Sequence, residues 1–261
     1  MRALALHADV LVFVSDVWQT TCTAVRSGDE GFVIDSLVYP EELRVLPGVL
    51  EQAGYPVSGL LATHGDWDHL LGRLAFPGAA LAAGEATVRR LGSELGQAHR
   101  ELREFDEEHY VVERPALSLG SLQALPVPGK LELGSATGAH EVELYPTGGH
   151  TLDGTGFWLP WCKVLVCGDY LSPVELPAIS PGGSPAAYQE TLDRLEGLAS
   201  QAEWVVPGHG APISGERAQQ VLTEDRRYLD ALVRDRENAA LPEGRRTAAQ
   251  RRLHAANVAQ L

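Results

Sequence analysis

The chain has 261 residues, a net charge of −14 and a pI near 5.0. Its length suits one large α/β domain. Its acidic balance argues against nucleic-acid phosphates or an anionic membrane face as partners. No apolar run approaches the ~18 residues that span a bilayer, and the N-terminus has no cleavage-site pattern of a signal peptide. We therefore expect a cytoplasmic protein.

The cysteine content also favours a reducing compartment. Cys22, Cys162 and Cys167 form an odd and sparse set, which does not resemble a disulfide framework. We expect these side chains to be buried as small hydrophobic groups.

The first half of the sequence predicts strands around one helix. Strands are predicted at 9–15, 21–25 and 31–35, with a hairpin turn at the sequence SGDEG. A helix is predicted at 40–54, where Pro40 and early acidic residues suit a first turn. A short apolar strand is predicted at 56–64, without the alternation of a half-exposed sheet.

The second half repeats this order. Residues 83–110 read as mostly helical, 121–150 as short strands with glycine and proline turns, and 157–170 as two strands around a turn at Pro160–Trp161. A helix is predicted at 184–200, a strand at 202–210, and helix from Ile213 onward. Two such halves packed sheet to sheet would give an α-β-β-α sandwich, although this pattern alone does not exclude other α/β architectures.

Potential metal ligands cluster where the predicted strands end. The stretch ATHGDWDHL places His64, Asp66, Asp68 and His69 after the strand at 56–64. Three further candidates follow apolar runs in glycine-rich turns, namely His150 in TGGHTLDG, Asp169 in VCGDYL and His209 in VVPGHG. Such turns let the backbone approach closely and direct the side chains. Three or four histidines with carboxylates can hold two divalent ions, one carboxylate bridging them.

The ordered set HxDxDH, H, D and H resembles the metallo-β-lactamase superfamily, and the resemblance extends from about residue 10 to 215. It implies an α/β (α+β) four-layer α-β-β-α sandwich over 1–215, with a helical C-terminal extension, 216–261, packed on the same domain. It implies one metal at His64, position 66 and His150, and a second at Asp68, His69 and His209. Asp169 would bridge the two.

Position 66 departs from the family pattern, HxHxDH, because Asp66 stands where histidine is usual. Three interpretations stay open. Asp66 is a ligand whose anionic oxygen favours harder ions such as manganese or iron; flavin-linked di-iron members look similar there. Alternatively, Asp66 is too short and the site holds one metal, or the site is degenerate and the protein is not catalytic.

The resemblance implies a metal-dependent hydrolase with two divalent ions per chain, zinc by family and manganese or iron favoured by Asp66. A metal-bound hydroxide would attack an ester, thioester, lactone or phosphodiester bond of a small molecule. Asp68 would orient the nucleophile or accept its proton. The alternatives are an iron-dependent oxidoreductase with a separate electron-transfer partner, since the chain has no room for a flavin domain, or a metal-binding protein without turnover.

Several other residues have two open interpretations. Asp35 and Asp153 are expected to orient ligand side chains or shape turns rather than bind metal. Trp67 would wall the site or pack beneath it, and Tyr170 would donate to substrate or pack in the core. The loop at 171–184, which has no cationic residue, is expected to overhang the site.

The C-terminal segment is basic within an acidic chain. Its arginines, Arg245, Arg246, Arg251 and Arg252, would meet an anionic substrate or form a solvated helix face. His254 and Asn257 share a helical face that could turn inward. The sequence does not indicate the oligomeric state; homodimers are common among such enzymes, which leaves a homodimer as one possible assembly.

Overall fold

The computed structural model of the chain describes residues 1–134 and 139–261. Two β-sheets face each other, and α-helices cover their outer faces. The strands are β1 Arg2–His7, β2 Val10–Val14, β3 Thr21–Ser27, β4 Glu30–Asp35, β5 Gly59–Ala62, β6 Ala80–Gly84, β7 Gln123–Leu125, β8 Gly129–Leu133, β9 His140–Pro146, β10 Thr155–Leu159, β11 Val164–Val166, β12 Trp204–Val206 and β13 Ile213–Ser214. The α-helices are α1 Pro40–Gln52, α2 Gly72–Ala75, α3 Glu85–Ser93, α4 Gln97–Glu108, α5 Pro185–Gln201, α6 Gly215–Asp235 and α7 Ala248–Ala259.

The first sheet changes from antiparallel to parallel pairing at β4. Its strand order is β1-β2-β3-β4-β5-β6-β7, with antiparallel pairs up to β4 and parallel pairs from β4 to β7. The carboxyl ends of β4 and β5 therefore lie at one edge of the sheet. Asp35 ends β4, and the segment Thr63–His69 follows β5 at that edge.

The second sheet places two further chain segments at the same kind of edge. Its order is β13-β12-β11-β10-β9-β8, and β11 and β12 are a parallel pair among antiparallel neighbours. Asp169 follows β11 and His209 follows β12. The two predicted ligands separated by 40 residues of chain thus emerge from adjacent strands.

Alternating side chains of both sheets build three apolar layers, which confirms the predicted four-layer α-β-β-α sandwich. Val10, Val12 and Val14 of β2 face the other sheet, whereas Phe13 faces the helices. The layer between the sheets is completed from the second sheet by Val142, Leu144, Phe157, Leu159, Val164, Val166 and Val206. Strands buried on both faces explain why the sequence shows apolar runs rather than alternation.

Helix starts follow the expected capping chemistry. The Ser184 hydroxyl accepts a hydrogen bond from the Ala187 amide, and Pro185 occupies the first turn of α5. Ser214 and Thr247 cap α6 and α7 in the same way. These caps position the helices that cover the second sheet.

The predicted helical stretch 83–110 is only partly helical. Ala83 and Gly84 belong to strand β6, and α3 and α4 are separated by a turn at Gly96, whose φ is 80°. The sequence of β6 has no β-branched residue, so its strand conformation depends on pairing with β5 and β7. Within the predicted strand region 121–150, residues 135–138 lie outside the described residues.

Arg245 differs from both expectations for the C-terminal arginines. It is 1% exposed, with its guanidinium 2.5 Å from Asp225 Oδ1 and 3.0 Å from Glu224 Oε2. It also donates to the backbone carbonyls of Ser172 and Glu175, at 3.2 and 2.8 Å. Arg245 therefore links α6 to the loop at 171–184, and its burial rules out a solvated helix face at this position.

Two polar side chains of α7 hold the same loop. Gln250 Oε1 accepts from the Leu176 amide at 2.7 Å. Asn257 accepts from the Ile179 amide at 2.8 Å and donates to the Pro177 carbonyl at 2.7 Å. Buried backbone groups of a loop without secondary structure thus obtain partners from the C-terminal helix.

The inward turn of the face shared by His254 and Asn257 is present in the structure. Asn257 is fully buried, and both side chains contact the Tyr228 hydroxyl, at 3.1 and 2.9 Å. The side chains of α6 and α7 pack on the cluster outside the second sheet. The division of the chain into 1–215 and 216–261 stays a prediction.

Among residues 1–134 and 139–261, none of the helices combines the length and the apolar character that crossing a bilayer requires.

The Asn257 contacts predict a stability effect. Asn257→Leu keeps the side-chain size but leaves the Ile179 amide and Pro177 carbonyl without partners, so we expect a loss of about 2–4 kcal/mol in unfolding free energy. Urea unfolding followed by circular dichroism measures it. Arg252→Leu on the exposed face of α7 is the control and should stay within about 0.5 kcal/mol. Equal effects of the two substitutions would contradict the loop-holding role.

The cysteines predict a reactivity pattern. Cys22, Cys162 and Cys167 are free and buried, and burial raises the pKa of all three thiols, that of Cys162 to about 12. Because the thiolate is the reactive form, we expect no reaction of the native protein with Ellman's reagent. In guanidinium chloride all three thiols should react. Rapid native labelling of even one thiol would contradict this burial.

Candidate metal centre

Histidine and aspartate side chains from loops of both sheets converge at one edge of the sandwich. Three groups of residues place one potential ligand atom each within 4.8 Å of the others. These groups are His64 with Asp66 and His150, Asp68 with His69 and His209, and His64 with His69 and Asp169. All seven residues predicted from the sequence are therefore brought together.

The first group joins one loop from each sheet. Asp66 Oδ2 lies 3.6 Å from His64 Nε2 and 3.3 Å from His150 Nε2. Although aspartate is shorter than the histidine usual at this position, its carboxylate approaches both histidine rings. The interpretation in which Asp66 is too short is therefore wrong. His64 and Asp66 follow β5, whereas His150 lies between β9 and β10.

The second group lies beside a 3-10 turn at Trp67–His69. Asp68 Oδ2 lies 3.6 Å from His69 Nε2 and 3.5 Å from His209 Nε2. The Ser36 hydroxyl donates to the Asp68 carbonyl at 2.7 Å and accepts from the Leu71 amide at 3.0 Å. Ser36 thereby anchors the turn that carries Asp68 and His69 to the end of β4.

Asp169 lies between the two groups. Its Oδ2 atom is 3.7 Å from His64 Nε2, 3.3 Å from His150 Nε2 and 3.4 Å from His209 Nε2. Its Oδ1 atom is 3.3 Å from His69 Nε2. One carboxylate thus faces ring nitrogens of both groups, as a bridging ligand would.

The donor set fits divalent metal. His64 Nε2, His69 Nε2, His150 Nε2 and Asp169 Oδ1 are buried and make no hydrogen bond to any residue that the structure describes. Buried polar atoms are normally paired, so several orphaned atoms that point at one another indicate a missing partner common to all. Imidazole nitrogens and carboxylate oxygens are ligands for zinc, manganese and iron.

The far side of each ring sets its orientation. His150 Nδ1 lies 2.9 Å from the Ala178 carbonyl, which can only accept, so Nδ1 carries a proton and Nε2 is free to bind. The Thr63 hydroxyl donates its proton to Asp35, so its oxygen accepts a hydrogen bond from His64 Nδ1, 3.0 Å away. His64 Nδ1 therefore also carries a proton, and His64 Nε2 is free to bind. The loop held by the C-terminal helix thereby supplies the orienting group for His150.

Asp35 and Thr20 contact the other two rings. Asp35 Oδ2 lies 3.1 Å from His69 Nδ1, and Asp35 accepts from the Thr63 amide at 2.7 Å. Thr20 Oγ1 lies 3.4 Å from His209 Nδ1. Asp35 therefore has the orienting position that the sequence predicted.

Two glycines allow the ligand loops to approach. A Cβ atom at position 208 would lie 2.0 Å from Asp169 Oδ1 and 2.9 Å from His69 Cε1. Gly149 has a φ of +128°, and a Cβ atom there would lie 2.3 Å from the Tyr188 amide. The residues preceding His209 and His150 must therefore be glycine.

The charges at the centre are strongly coupled. Burial opposes a charge on His150, but the nearby carboxylates of Asp66 and Asp169 raise its pKa to about 9. Burial is likewise outweighed at His209, where Glu175 and Asp169 raise the pKa to about 10. Against burial, neighbouring histidines hold the pKa values of Asp66 and Asp169 well below their usual range. A metal that binds these histidines must displace their protons.

The other candidate residues are placed outside the ligand groups. Trp67 is buried in the apolar cluster that covers the first sheet, with its ring centroid 4.9 Å from that of Phe105. Tyr170 is buried, accepts from the His150 amide at 2.9 Å and donates to the Thr147 carbonyl at 3.0 Å. Both residues therefore have structural positions.

The sequence did not predict that Arg90 of α3 contacts a candidate ligand. Its guanidinium lies 2.8 Å from both Asp66 Oδ1 and Asp153 Oδ1. Position 90 lies in a charged helix next to Arg89, so no local pattern marks it. The one available signal was the unusual acid at 66, which needs a cation when half-buried.

The sequence matches the family model described as the metallo-beta-lactamase superfamily over residues 15–209. This is more than half of the chain, so the protein belongs to that superfamily.

Solved structures share the fold at low sequence identity. A metallo-beta-lactamase from Pontibacter korlensis is 17% identical, with a TM-score of 0.62 over 85% of this chain and 98% of that chain. A metallo-beta-lactamase family protein from Thermus thermophilus, TTHA1429, is 19% identical, with a TM-score of 0.68 over 88% and 82%. TTHA1623, solved in a di-iron-bound form, is 20% identical, with a TM-score of 0.61 over 80% and 97%.

The position of Asp66 predicts a change in metal content. Asp66→Ala removes the carboxylate from the first group only, so we expect bound metal to fall from two ions per chain to one. Inductively coupled plasma mass spectrometry after gel filtration measures this ratio. Glu94→Ala, which removes another Arg90 contact outside the centre, should retain both ions. An unchanged ratio in Asp66→Ala would show that Asp66 is not a ligand.

Proposed function

We propose that this member of the metallo-β-lactamase superfamily is a metal-dependent hydrolase that acts on a small molecule. The observation that carries the proposal is the pair of ligand groups around Asp169, with buried ring nitrogens that have no partner among the described residues. Stable burial of so many ionisable groups otherwise has a high energetic cost.

In this proposal two of the three groups would each hold one divalent ion. His64, Asp66 and His150 would hold the first ion, Asp68, His69 and His209 would hold the second, and Asp169 would be a ligand of both. Two ions bound there would supply a hydroxide nucleophile near neutral pH and polarise the bond to be cleaved.

Asp68 has the catalytic role. Its turn is anchored through Ser36, so the carboxylate is held beside His69 and His209 with little freedom. From there it orients the attacking water and accepts its proton. The Asp68 side chain is buried, with Oδ2 3.5 to 3.6 Å from the two ring nitrogens, so this base lies within the centre.

Two features beside the ligand groups support an uncharged substrate. Trp18 is 46% exposed, and its ring centroid lies 6.5 Å from that of His209, which offers an apolar surface beside the second group. The loop at 171–184 carries no cationic residue, and its Glu175, whose pKa burial raises, is close enough to raise that of His209. These features favour an uncharged ester, thioester or lactone over a phosphodiester.

The second candidate function is iron-dependent redox chemistry with a separate electron-transfer partner. The specific observation in its favour is the carboxylate at position 66, which favours harder ions than a third histidine would. One similar structure, that of TTHA1623, is itself a di-iron-bound form. Zinc, manganese and iron therefore all enter the test.

The test compares full-length protein loaded separately with zinc, manganese or ferrous iron. We expect metal-dependent hydrolysis of an uncharged ester, thioester or lactone from a panel that also contains phosphodiesters. Asp68→Asn should lower kcat/KM by at least about 100-fold, because Asp68 is both the proposed proton acceptor and a proposed ligand of the second ion. Asp106→Asn, on α4 and away from the ligand groups, is the matched control and should retain activity.

The outcomes separate the candidates. Hydrolysis that a chelator abolishes and added metal restores supports the hydrolase. Absence of hydrolysis across the panel, together with tightly held iron and a visible absorption band, supports the redox function. Protein that binds no metal under any loading condition would overturn both.

A further inference from the structure

Arg90 links the two ligand loops of the first group. Its Nη2 atom lies 2.8 Å from Asp66 Oδ1, and its Nη1 atom lies 2.8 Å from Asp153 Oδ1. Asp153 in turn accepts from the Gly65 amide through Oδ2 at 2.9 Å. The segment carrying His64 and Asp66 is thereby joined to the turn that follows His150.

The two carboxylate oxygens of Asp66 contact different groups. Oδ1 is bound by Arg90, whereas Oδ2 faces His64 Nε2 and His150 Nε2. The planar guanidinium fork contacts two carboxylates at once, which fixes the direction of each. Asp66 is thus held so that a single oxygen points to the centre, as a single ring nitrogen of histidine would.

The charges of the pair also balance. A neutral histidine at position 66 would contribute no charge to the first group, whereas an aspartate contributes −1. Arg90 contributes +1 within hydrogen-bond distance of that aspartate. The sum is zero, so the Asp66–Arg90 pair has the charge of the histidine that the superfamily pattern has at this position.

We propose that Arg90 is a positioning residue for the metal centre, and that Asp66 and Arg90 together replace one histidine ligand. This inference rests on the proposed metal-binding function. It goes beyond that function because it makes the unusual ligand dependent on a residue of α3 that the motif does not contain.

The proposal predicts that histidine at position 66 is compatible with metal only when Arg90 is also changed. In Asp66→His the guanidinium loses the carboxylate nearest the centre, although it keeps its contacts with Asp153 and Glu94. Its Nη2 side then faces a neutral ring and repels a divalent ion, so we expect the first ion to bind at least about 10-fold more weakly than in the natural protein. In Asp66→His/Arg90→Gln the positive charge is gone. The first-ion affinity should return to within about 3-fold of the natural protein, a coupling that independent sites do not show.

The experiment is a titration of full-length metal-free protein with zinc alone, followed by isothermal calorimetry and metal analysis. Asp66→His/Arg89→Gln is the matched control, because the adjacent Arg89 is exposed and has no contact with Asp66 or Asp153 among the described contacts. It should bind the first ion as weakly as Asp66→His. Thermal unfolding of each metal-free variant shows whether it is folded.

Arg90→Lys provides a second test that keeps residue 66 and the charge. Lysine cannot contact two carboxylates in the fixed geometry of a guanidinium. We expect the first ion to bind about 10-fold more weakly while the second ion is unaffected. This result does not depend on whether the histidine variants fold.

Other outcomes overturn the inference. Unchanged first-ion affinity in Asp66→His or in Arg90→Lys would show that Arg90 does not position the ligand. Equal weakness of Asp66→His and Asp66→His/Arg90→Gln, both folded, would show that the two residues are not one unit. In those cases the natural protein still binds two ions and the proposed function stands. A natural protein that binds one zinc ion or none refutes the inference at its premise. The proposed function is refuted only if manganese and ferrous iron also fail to bind.

Discussion

The carboxylate of Asp169 lies 3.3 to 3.7 Å from the Nε2 atoms of four histidines, and the arrangement of the centre depends on that contact. An anion in this buried position is stable only because cationic or metal-binding groups surround it. The same contact requires glycine at position 208, since any side chain would collide with Asp169. It also requires both sheets, because the histidines come from loops of each.

The two sheets meet this requirement through their shared apolar layer. Valine, leucine and phenylalanine side chains between them hold the strand ends in register, and the ligands follow those ends directly. Polar contacts then orient each ring from behind. Asp35 and Thr63 do so from the first sheet, whereas the Ala178 carbonyl belongs to a loop that the C-terminal helix holds. The helices after residue 215 therefore contribute to the geometry of the centre without entering it.

At position 66 the proposed metal centre has a carboxylate where the superfamily pattern has a histidine ring. An isolated aspartate would make the first ion site more anionic than three neutral ligands and favour harder ions. Its pairing with Arg90 offsets that charge and restricts the carboxylate to one inward oxygen. In the proposed centre, the metal preference of the first group would therefore depend on the contact between Asp66 and Arg90 as well as on the identity of the ligand.

The sequence by itself determined the order of the ligands and their places in strand-end turns, because apolar runs, glycines and ligand-type side chains are local features of the chain. The sandwich followed from the resemblance of that ordered ligand set to the superfamily, since the pattern of strands and helices alone did not exclude other α/β architectures. The orienting place of Asp35 was also predicted, whereas the inward turn of the face shared by His254 and Asn257 was left open. Only the tertiary structure decided that β6 is a strand, that Arg245 is buried as a tie to the loop, and that Arg90 is the partner of Asp66. Each of these depends on which segments meet across the fold: a strand of alanines requires neighbouring strands, and one arginine among several differs from the others only by the carboxylate it reaches.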